Sequence, residues 1–174
     1  VKLLLERCNS EESGLNIKDM FGITALMWAC INGHTDVVKL LLDHSDPNID
    51  CCGSTPFMVA CGKGHKDVVQ LFLDHGDANI DVNARDYYGW TPFMRACSKG
   101  HKDVVQLLLN HSNPRIEVNA KHSNGCTAFK MACRDGHKDI VKLLLEYSDV
   151  DISEYDTLPQ EMIDFIELHQ MKLN

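Results

Sequence analysis

Apolar residues recur along this chain with the spacing of short amphipathic helices. Phe93, Ala96 and Cys97 fall at i, i+3 and i+4 and therefore share one face of a helix. Gly100 follows, and it predicts a helix end in left-handed conformation. A second apolar pattern occupies residues 104–109 and predicts another short helix with its own buried face.

This two-helix pattern occurs four times. Residues 55–71 recur almost unchanged at 91–107, and more distant copies occupy 24–40 and 127–143. Helices this short are not stable alone, and one copy cannot bury its own apolar face. We therefore expect the copies to stack into an elongated all-α solenoid of helix-turn-helix units that share one continuous core.

Polar connections rich in Asp, Asn and Gly separate the copies and predict turns. The opening V-K-L-L-L matches V-K-L-L-L at residues 38–42, so we expect the chain to begin inside an incomplete unit of a longer protein, with a half-repeat cap as the alternative. The predicted units are a partial repeat at 1–18, full repeats at 19–49, 50–85, 86–121 and 122–152, and a C-terminal capping segment at 153–174.

A last helix is predicted at Gln160–Leu173. Met162, Phe165, Ile166 and His169 share one face at i, i+3, i+4 and i+7. One apolar face with a charged back is what a terminal cap of a stack requires. We expect this helix to cover the last repeat; a helix that docks onto a partner is the alternative.

Charge narrows the class of partner. The 174-residue chain carries a formal net charge of −8, which argues against a nucleic-acid backbone or an anionic membrane surface as the main partner. No apolar run approaches 18 residues, so membrane insertion is not expected. The favoured partner is a protein or peptide, and the charge weakly favours a basic or neutral one; we expect a monomer to bind it.

Four of the eight cysteines, Cys30, Cys61, Cys97 and Cys133, follow an alanine at the same repeat position. This placement predicts buried free thiols rather than disulfides or metal ligands, since no C-x-x-C pair occurs. Reduced thiols fit a cytoplasmic or nuclear location inside the cell. The adjacent pair Cys51 and Cys52 lies in a predicted turn, where a reactive role stays open.

Histidines also recur at one repeat position. His34, His65, His101 and His137 each follow a glycine, and their repetition indicates a structural bond to the backbone near the turn rather than a catalytic site. The chain contains no nucleophile elbow, H-E-x-x-H motif or Walker loop. We therefore expect no enzyme activity, no metal and no cofactor.

The full arrangement, T-P-x-x-x-A-x-x-x-G-H-x-x-V-V-x-L-L-L, resembles the ankyrin repeat and recurs in register four times. The resemblance implies a β-turn and two antiparallel helices per unit, a curved solenoid, and protein–protein binding as the usual role. The chain departs from the family pattern after T-P-x, where Met27, Met58, Met94 and Lys130 replace the usual histidine.

The resemblance also implies where a partner is contacted: on the concave face of the first helices and at the turn tips. Aromatic residues and arginine there are types enriched in binding hot spots, and methionines would give an adaptable apolar strip. The tryptophans could instead pack against the next unit's turn. The predicted contact residues are Phe21, Met27, Trp28, Met58, Tyr87, Tyr88, Trp90, Met94 and Arg95.

Two asparagines are candidates for modification. The sequences Asp81-Val82-Asn83 and Glu117-Val118-Asn119 resemble the acidic-hydrophobic-asparagine site that an asparaginyl hydroxylase modifies in animal ankyrin repeats. The alternative is that Asn83 and Asn119 only hydrogen-bond the turn backbone.

Three functions remain open at this point. The leading one is a non-catalytic module that binds a partner protein or peptide. The second is a structural spacer or tether within a longer array, and the third is an accessory domain of a larger enzyme or channel.

Overall fold

The computed structural model describes residues 14–75, 80–111, 116–147, 149–152 and 157–173. In these ranges the chain forms four pairs of short helices followed by a single longer one, which confirms the all-α class. Most of the predicted partial repeat at 1–18 lies outside them. The helices are α1 (Ala25–Asn32), α2 (Thr35–Leu42), α3 (Pro56–Lys63), α4 (Lys66–Asp74), α5 (Pro92–Ser98), α6 (Lys102–Asn110), α7 (Ala128–Arg134), α8 (Lys138–Leu145) and α9 (Gln160–Leu173).

The helices form two layers. The first helices of the repeats, α1, α3, α5 and α7, pack side by side, and the second helices, α2, α4, α6 and α8, do the same behind them. Each first helix also packs on its own second helix. The predicted stack of helix-turn-helix units is therefore confirmed.

A threonine begins each first helix. The Oγ1 atoms of Thr24, Thr55, Thr91 and Thr127 accept a hydrogen bond from the backbone N–H three residues ahead, at 3.2–3.4 Å. This is the N-cap interaction that threonine favours, and it satisfies one of the free donors at a helix start. In α3 and α5 a proline follows directly, where its missing N–H costs nothing.

The core between the first helices contains alanine and cysteine. Ala60, Cys61, Ala96 and Cys97 are fully buried, and their small side chains let neighbouring helices approach closely. The four repeat-position cysteines are all buried and free, as predicted. Burial raises the pKa of Cys30 and of Cys133 to about 12, so these thiols stay protonated and unreactive at neutral pH.

The expected exposed methionine strip is wrong. Met27, Met58 and Met94 are buried, with 1%, 0% and 1% of their surface exposed. The first helices that carry these methionines are apolar on almost every side: α3 and α5 each lie between two first helices, α1 packs on α3, and all three lie in front of a second helix. A partner therefore cannot reach these three side chains in the folded stack.

The recurring histidines connect consecutive repeats. His65 Nε2 lies 3.0 Å from Ile31 O, His101 Nε2 is 3.0 Å from Gly62 O, and His137 Nε2 is 3.0 Å from Ser98 O. The predicted bond to backbone is confirmed for these three. In each case the carbonyl belongs to the first helix of the preceding repeat, so the bond holds two units together.

The glycine at the end of a first helix serves this contact as well. Gly33 has φ 70°, a left-handed conformation that residues with a Cβ rarely adopt. A Cβ on Gly33 would also lie 2.7 Å from the His65 Nδ1 atom of the next repeat. Gly136 has φ 78° but no atom within 4 Å of its Cβ position. In the earlier repeats, glycine is thus favoured for two reasons: the backbone is left-handed there, and a side chain would clash with the histidine ring of the next repeat.

An asparagine in each inter-repeat loop bonds to the next loop. The Oδ1 atoms of Asn16, Asn83 and Asn119 accept from the backbone N–H of Asp46, Glu117 and Asp151 at 3.0, 2.9 and 2.8 Å. Asn48 makes a longer contact of the same kind, 3.5 Å, with Asp81 N. The expected asparagine–backbone bonds are confirmed, and they extend from loop to loop along the stack.

Helix α9 occupies Gln160–Leu173, as predicted. It packs against α8 and buries Met162 and Ile166 on the predicted face, while Phe165 and His169 are partly buried. Within the described residues, none of the helices combines the length and apolar character that crossing a bilayer demands.

The glycine–histidine contact predicts different costs for one substitution at two equivalent sites. Gly136→Ala should lower the free energy of unfolding by about 1 kcal/mol, the cost of placing a Cβ in left-handed conformation. Gly64→Ala should lower it by at least about 1 kcal/mol more, because the new methyl meets the His101 ring. Urea unfolding of both variants measures the difference; equal losses would contradict a structural role for the contact.

Candidate functional site

The turns that precede the first helices form a row of tips on the molecule. We define the four tips as residues 19–23, 50–54, 86–90 and 122–126. Tip 86–90 is closed by backbone hydrogen bonds from Asp86 N to Trp90 O, 3.1 Å, and from Gly89 N to Asp86 O, 2.9 Å. Tips 19–23 and 122–126 are closed by the same pair of bonds.

A buried carboxylate holds the third tip. Asp86 accepts hydrogen bonds from the backbone N–H groups of Tyr88 and Trp90, each at 2.9 Å, and from Arg95 Nη2 at 2.6 Å. Its side chain is 3% exposed. Because a buried charge is stable only when paired and hydrogen-bonded, Asp86 and Arg95 depend on each other.

The first tip uses the same arrangement with a different donor. Asp19 accepts from Phe21 N at 2.8 Å, Ile23 N at 3.0 Å and Trp28 Nε1 at 2.9 Å. The bonds from Ile23 and then Trp28 hold the pKa of Asp19 below its ordinary value. Trp28 and Arg95 lie at the same position of their repeats, four residues after the capping threonine, and both anchor the tip carboxylate.

The other two tips vary this scheme. In the second, Asp50 accepts from Gly53 N at 2.7 Å, and Cys52 adopts φ 53°, a conformation uncommon for a residue with a side chain. In the fourth, His122 replaces the aspartate and its Nδ1 accepts from Asn124 N at 3.2 Å. The second tip is also closed by other bonds, from Cys51 N to Ser54 O at 3.0 Å and from Ser54 N to Cys51 O at 2.9 Å, so the tips differ in side-chain chemistry and partly in backbone path.

Neighbouring tips contact each other. Cys51 Sγ lies 3.2 Å from Phe21 O, and Ser123 N donates to Tyr88 O at 2.9 Å. The Trp90 and His122 rings meet edge to face with centroids 5.2 Å apart. Arg95, which binds Asp86 of the third tip, also donates to Ser54 Oγ of the second tip at 3.1 Å, so the tips form one connected surface instead of four independent loops.

The predicted contact residues at the tips differ in accessibility. Phe21, Tyr87 and Tyr88 are 68%, 77% and 67% exposed, and Trp28 is 45% exposed. Trp90 is half-buried: its ring contacts the next tip and lies 5.6 Å from the Arg95 guanidinium carbon. Trp90 thus packs against the next unit's turn, the alternative weighed from the sequence. Contact of any of these residues with a partner stays a prediction.

Beside the tips, the first helices border a groove. It has a volume of about 710 Å³ and extends over α3, α5 and α7, with Trp90 at its tip side. Fully buried Met58 lies beneath its floor. We call it the first-helix groove; its other walls include Val59, Lys63, Arg95, Lys99 and Arg134.

Sequence reasoning did not identify Asp19 and Asp86 as organising residues. A signal was present, because an aspartate precedes the capping threonine by five residues in three of the four repeats, at Asp19, Asp50 and Asp86. In the described part of the chain, no group of three or more His, Cys, Asp or Glu side chains has a geometry that could hold a metal ion.

Comparison with known families agrees with this architecture. The sequence profile described as "Ankyrin repeats (3 copies)" matches residues 1–86 and 77–156, which together make up most of the chain. The chain belongs to the ankyrin repeat family. Members of this family generally act as protein–protein interaction modules and are typically non-catalytic.

Two curated relatives share a short region with the chain. Osteoclast-stimulating factor 1 from Monopterus albus is 51% identical over 39 residues, 22% of this chain and 18% of the relative. Osteoclast-stimulating factor 1 from Danio rerio is 46% identical over 46 residues, 26% of this chain and 21% of the relative. The chain thus spans about a fifth of the length of each, so the similarity is confined to little more than one repeat.

The hydrogen bonds of the buried carboxylate in the third tip predict that its removal destabilises the fold. Asp86→Ala removes the acceptor of two backbone N–H groups and the partner of Arg95, so it should lower the free energy of unfolding by about 2 kcal/mol. Arg85→Ala is the adjacent control, because its ion pair with Glu117 is half-exposed on both sides and is worth less than about 1 kcal/mol. Chemical denaturation of both variants provides the measurement. A loss at Asp86 no larger than at Arg85 would refute the tip mechanism.

Proposed function

We propose that this chain is a non-catalytic binding module that engages a partner protein or peptide across the tips and the first-helix groove. It acts inside the cell, as a monomer, and without a cofactor. The observation that carries the proposal is the exposure of Phe21, Tyr87 and Tyr88 on a connected row of tips. Large exposed aromatic side chains of this kind supply the anchors of binding hot spots.

The fixed conformation of the tips supports the same role. The carboxylates of Asp19 and Asp86 bind the backbone of their own tips, and hydrogen bonds join Tyr88 and Phe21 to the tips that follow. A surface fixed in this way loses little conformational entropy when a partner docks. Weak interactions at several tips can then add to a useful affinity.

The test is capture of binding proteins from a cytosolic extract, followed by an affinity measurement on each identified protein. Tyr88→Ala should weaken binding by about 2 kcal/mol, because it removes an anchor that is exposed in the free chain. Tyr87→Ala should act in the same direction. Both tyrosines are exposed, so the melting temperature should change little.

Leu168→Ala is the matched control, because Leu168 is a similarly exposed large apolar residue on α9, away from the tips. Its affinity should equal that of the parent chain. Equal affinity of the parent and the two tyrosine variants would remove the tips from the site. If the parent captures no protein, the proposal fails and the spacer function gains support.

Asn83 and Asn119 remain candidates for hydroxylation. Both side chains line an open cavity of about 870 Å³ between the inter-repeat loops, which supports access by a modifying enzyme. Both also accept a backbone hydrogen bond from the next loop, so we propose that modification accompanies local opening of that bond.

Peptide mass spectrometry of protein from animal cells tests this proposal. The expected result is a gain of one oxygen on Asn83 or Asn119. Asn48 is the internal control, because it lies at the same loop position but directly follows Pro47, where Asn83 and Asn119 directly follow a valine. Absence of the added oxygen from both candidates would exclude the modification there.

A further inference from the structure

The first-helix groove has a charge opposite to that of the chain. The whole molecule carries 25 acidic and 17 basic residues apart from histidine. The groove is nevertheless lined by Lys63, Arg95, Lys99 and Arg134, and Asp135 is the one acidic side chain on its walls among the described residues. A basic groove on an acidic protein concentrates positive potential at one place on the surface.

Two of these cations are available to a partner. Arg95 is bound to Asp86 at 2.6 Å, and Arg134 is bound to Asp135 at 3.0 Å. Lys63 and Lys99 are exposed, and within the described residues neither side chain forms a hydrogen bond or an ion pair. A lysine suits the C-terminal end of a helix, but that preference alone does not explain why neither ammonium group is paired with a carboxylate.

The spacing of the two lysines is set by the stack. Each lies eight residues after the capping threonine of its repeat, Thr55 or Thr91, so Lys63 is the last residue of α3 and Lys99, at the equivalent position, directly follows the adjacent helix α5. Packed helices lie about 8–10 Å apart, so equivalent backbone positions such as those of Lys63 and Lys99 recur at roughly that interval. Val59 and Trp90 supply apolar surface in the same groove.

We propose that the first-helix groove binds an extended acidic peptide segment of a partner protein, with carboxylates three residues apart at Lys63 and Lys99 and apolar side chains between them. In a polyproline II segment, residues i and i+3 face the same side at a separation of about 9 Å, which matches the lysine spacing. The inference rests on the proposed function and specifies the chemistry of the partner. Two unpaired cations are too few to hold a long polyanion on a chain of net charge −8.

The test uses the whole chain and a fluorescein-labelled peptide made of four Glu-Leu-Pro units, with the corresponding Gln-Leu-Pro peptide for comparison. Fluorescence anisotropy at low and at physiological salt gives the affinities. The Glu peptide should bind, should weaken as salt rises, and should bind more tightly than the Gln peptide. The double variant Lys63→Glu, Lys99→Glu should weaken its binding by at least about tenfold, because it replaces two attractions with two repulsions.

The matched control is the double variant Lys66→Glu, Lys102→Glu. These lysines are equally exposed, belong to the same two repeats and change the net charge equally, but they begin the second helices α4 and α6. They should leave the affinity nearly unchanged. If the glutamates perturb α3 or α5, then Lys63→Gln with Lys99→Gln, judged folded by circular dichroism, should still weaken binding.

Three results would overturn the inference: equal binding of the Glu and Gln peptides, equal losses from the two pairs of lysine variants, or tighter binding of a single-stranded DNA oligonucleotide that depends on Lys63 and Lys99. None of them would by itself refute the proposed function. That function is decided separately by whether captured proteins depend on Tyr88. A Tyr88-dependent partner that is insensitive to Lys63 and Lys99 would leave a binding module with a different partner chemistry.

Discussion

Contact between consecutive repeats is the interaction on which the rest of this structure depends. The described paired helices are only seven to nine residues long, and such helices are not stable in isolation. Their stability comes from the alanine and cysteine positions that let first helices approach, from histidines that bond to the preceding repeat, and from asparagines that bond to the following loop. Each of these contacts crosses from one unit to the next.

The same contacts create the functional surface. The tips form a connected row because each lies against its neighbour, and the first-helix groove exists only where α3, α5 and α7 pack side by side. Side chains from several repeats therefore lie on one surface while the backbone beneath them is held in place. Variation in a few residues per repeat, such as Trp28 against Arg95, changes the chemistry of the surface without changing the scaffold.

Much of the fold could be predicted from the sequence, because the same helix periodicity and the same helix-end residues occur in all four repeats. The glycines that end the first helices, the buried cysteines and the bounds of α9 all follow from helix periodicity and end signals. Repetition also identified the histidines as structural. The sequence could not show that their acceptor lies in the preceding repeat, since that requires the geometry of the stack.

The surface was harder to predict. Met27, Met58 and Met94 were placed on an open face by counting away from one core stripe, but T-P-F-M-V-A-C is apolar at nearly every position and a helix of that kind is buried over most of its surface. Trp90 was predicted to contact a partner, with packing on the next turn as the alternative; its ring packs on His122 and also borders the groove, so its contact with a partner stays a prediction. The unpaired lysines were missed because neither ion pairs nor a groove can be read from a single repeat.

Native-state hydrogen exchange on the intact chain tests the central claim, that contacts between repeats hold the stack and its binding surface in one ordered form. The account predicts that amides of α3 and α5, which have neighbours on both sides, exchange most slowly and lose protection together as denaturant is added. Exchange from these helices that is independent of denaturant, or that differs for each repeat without regard to its neighbours, would contradict it.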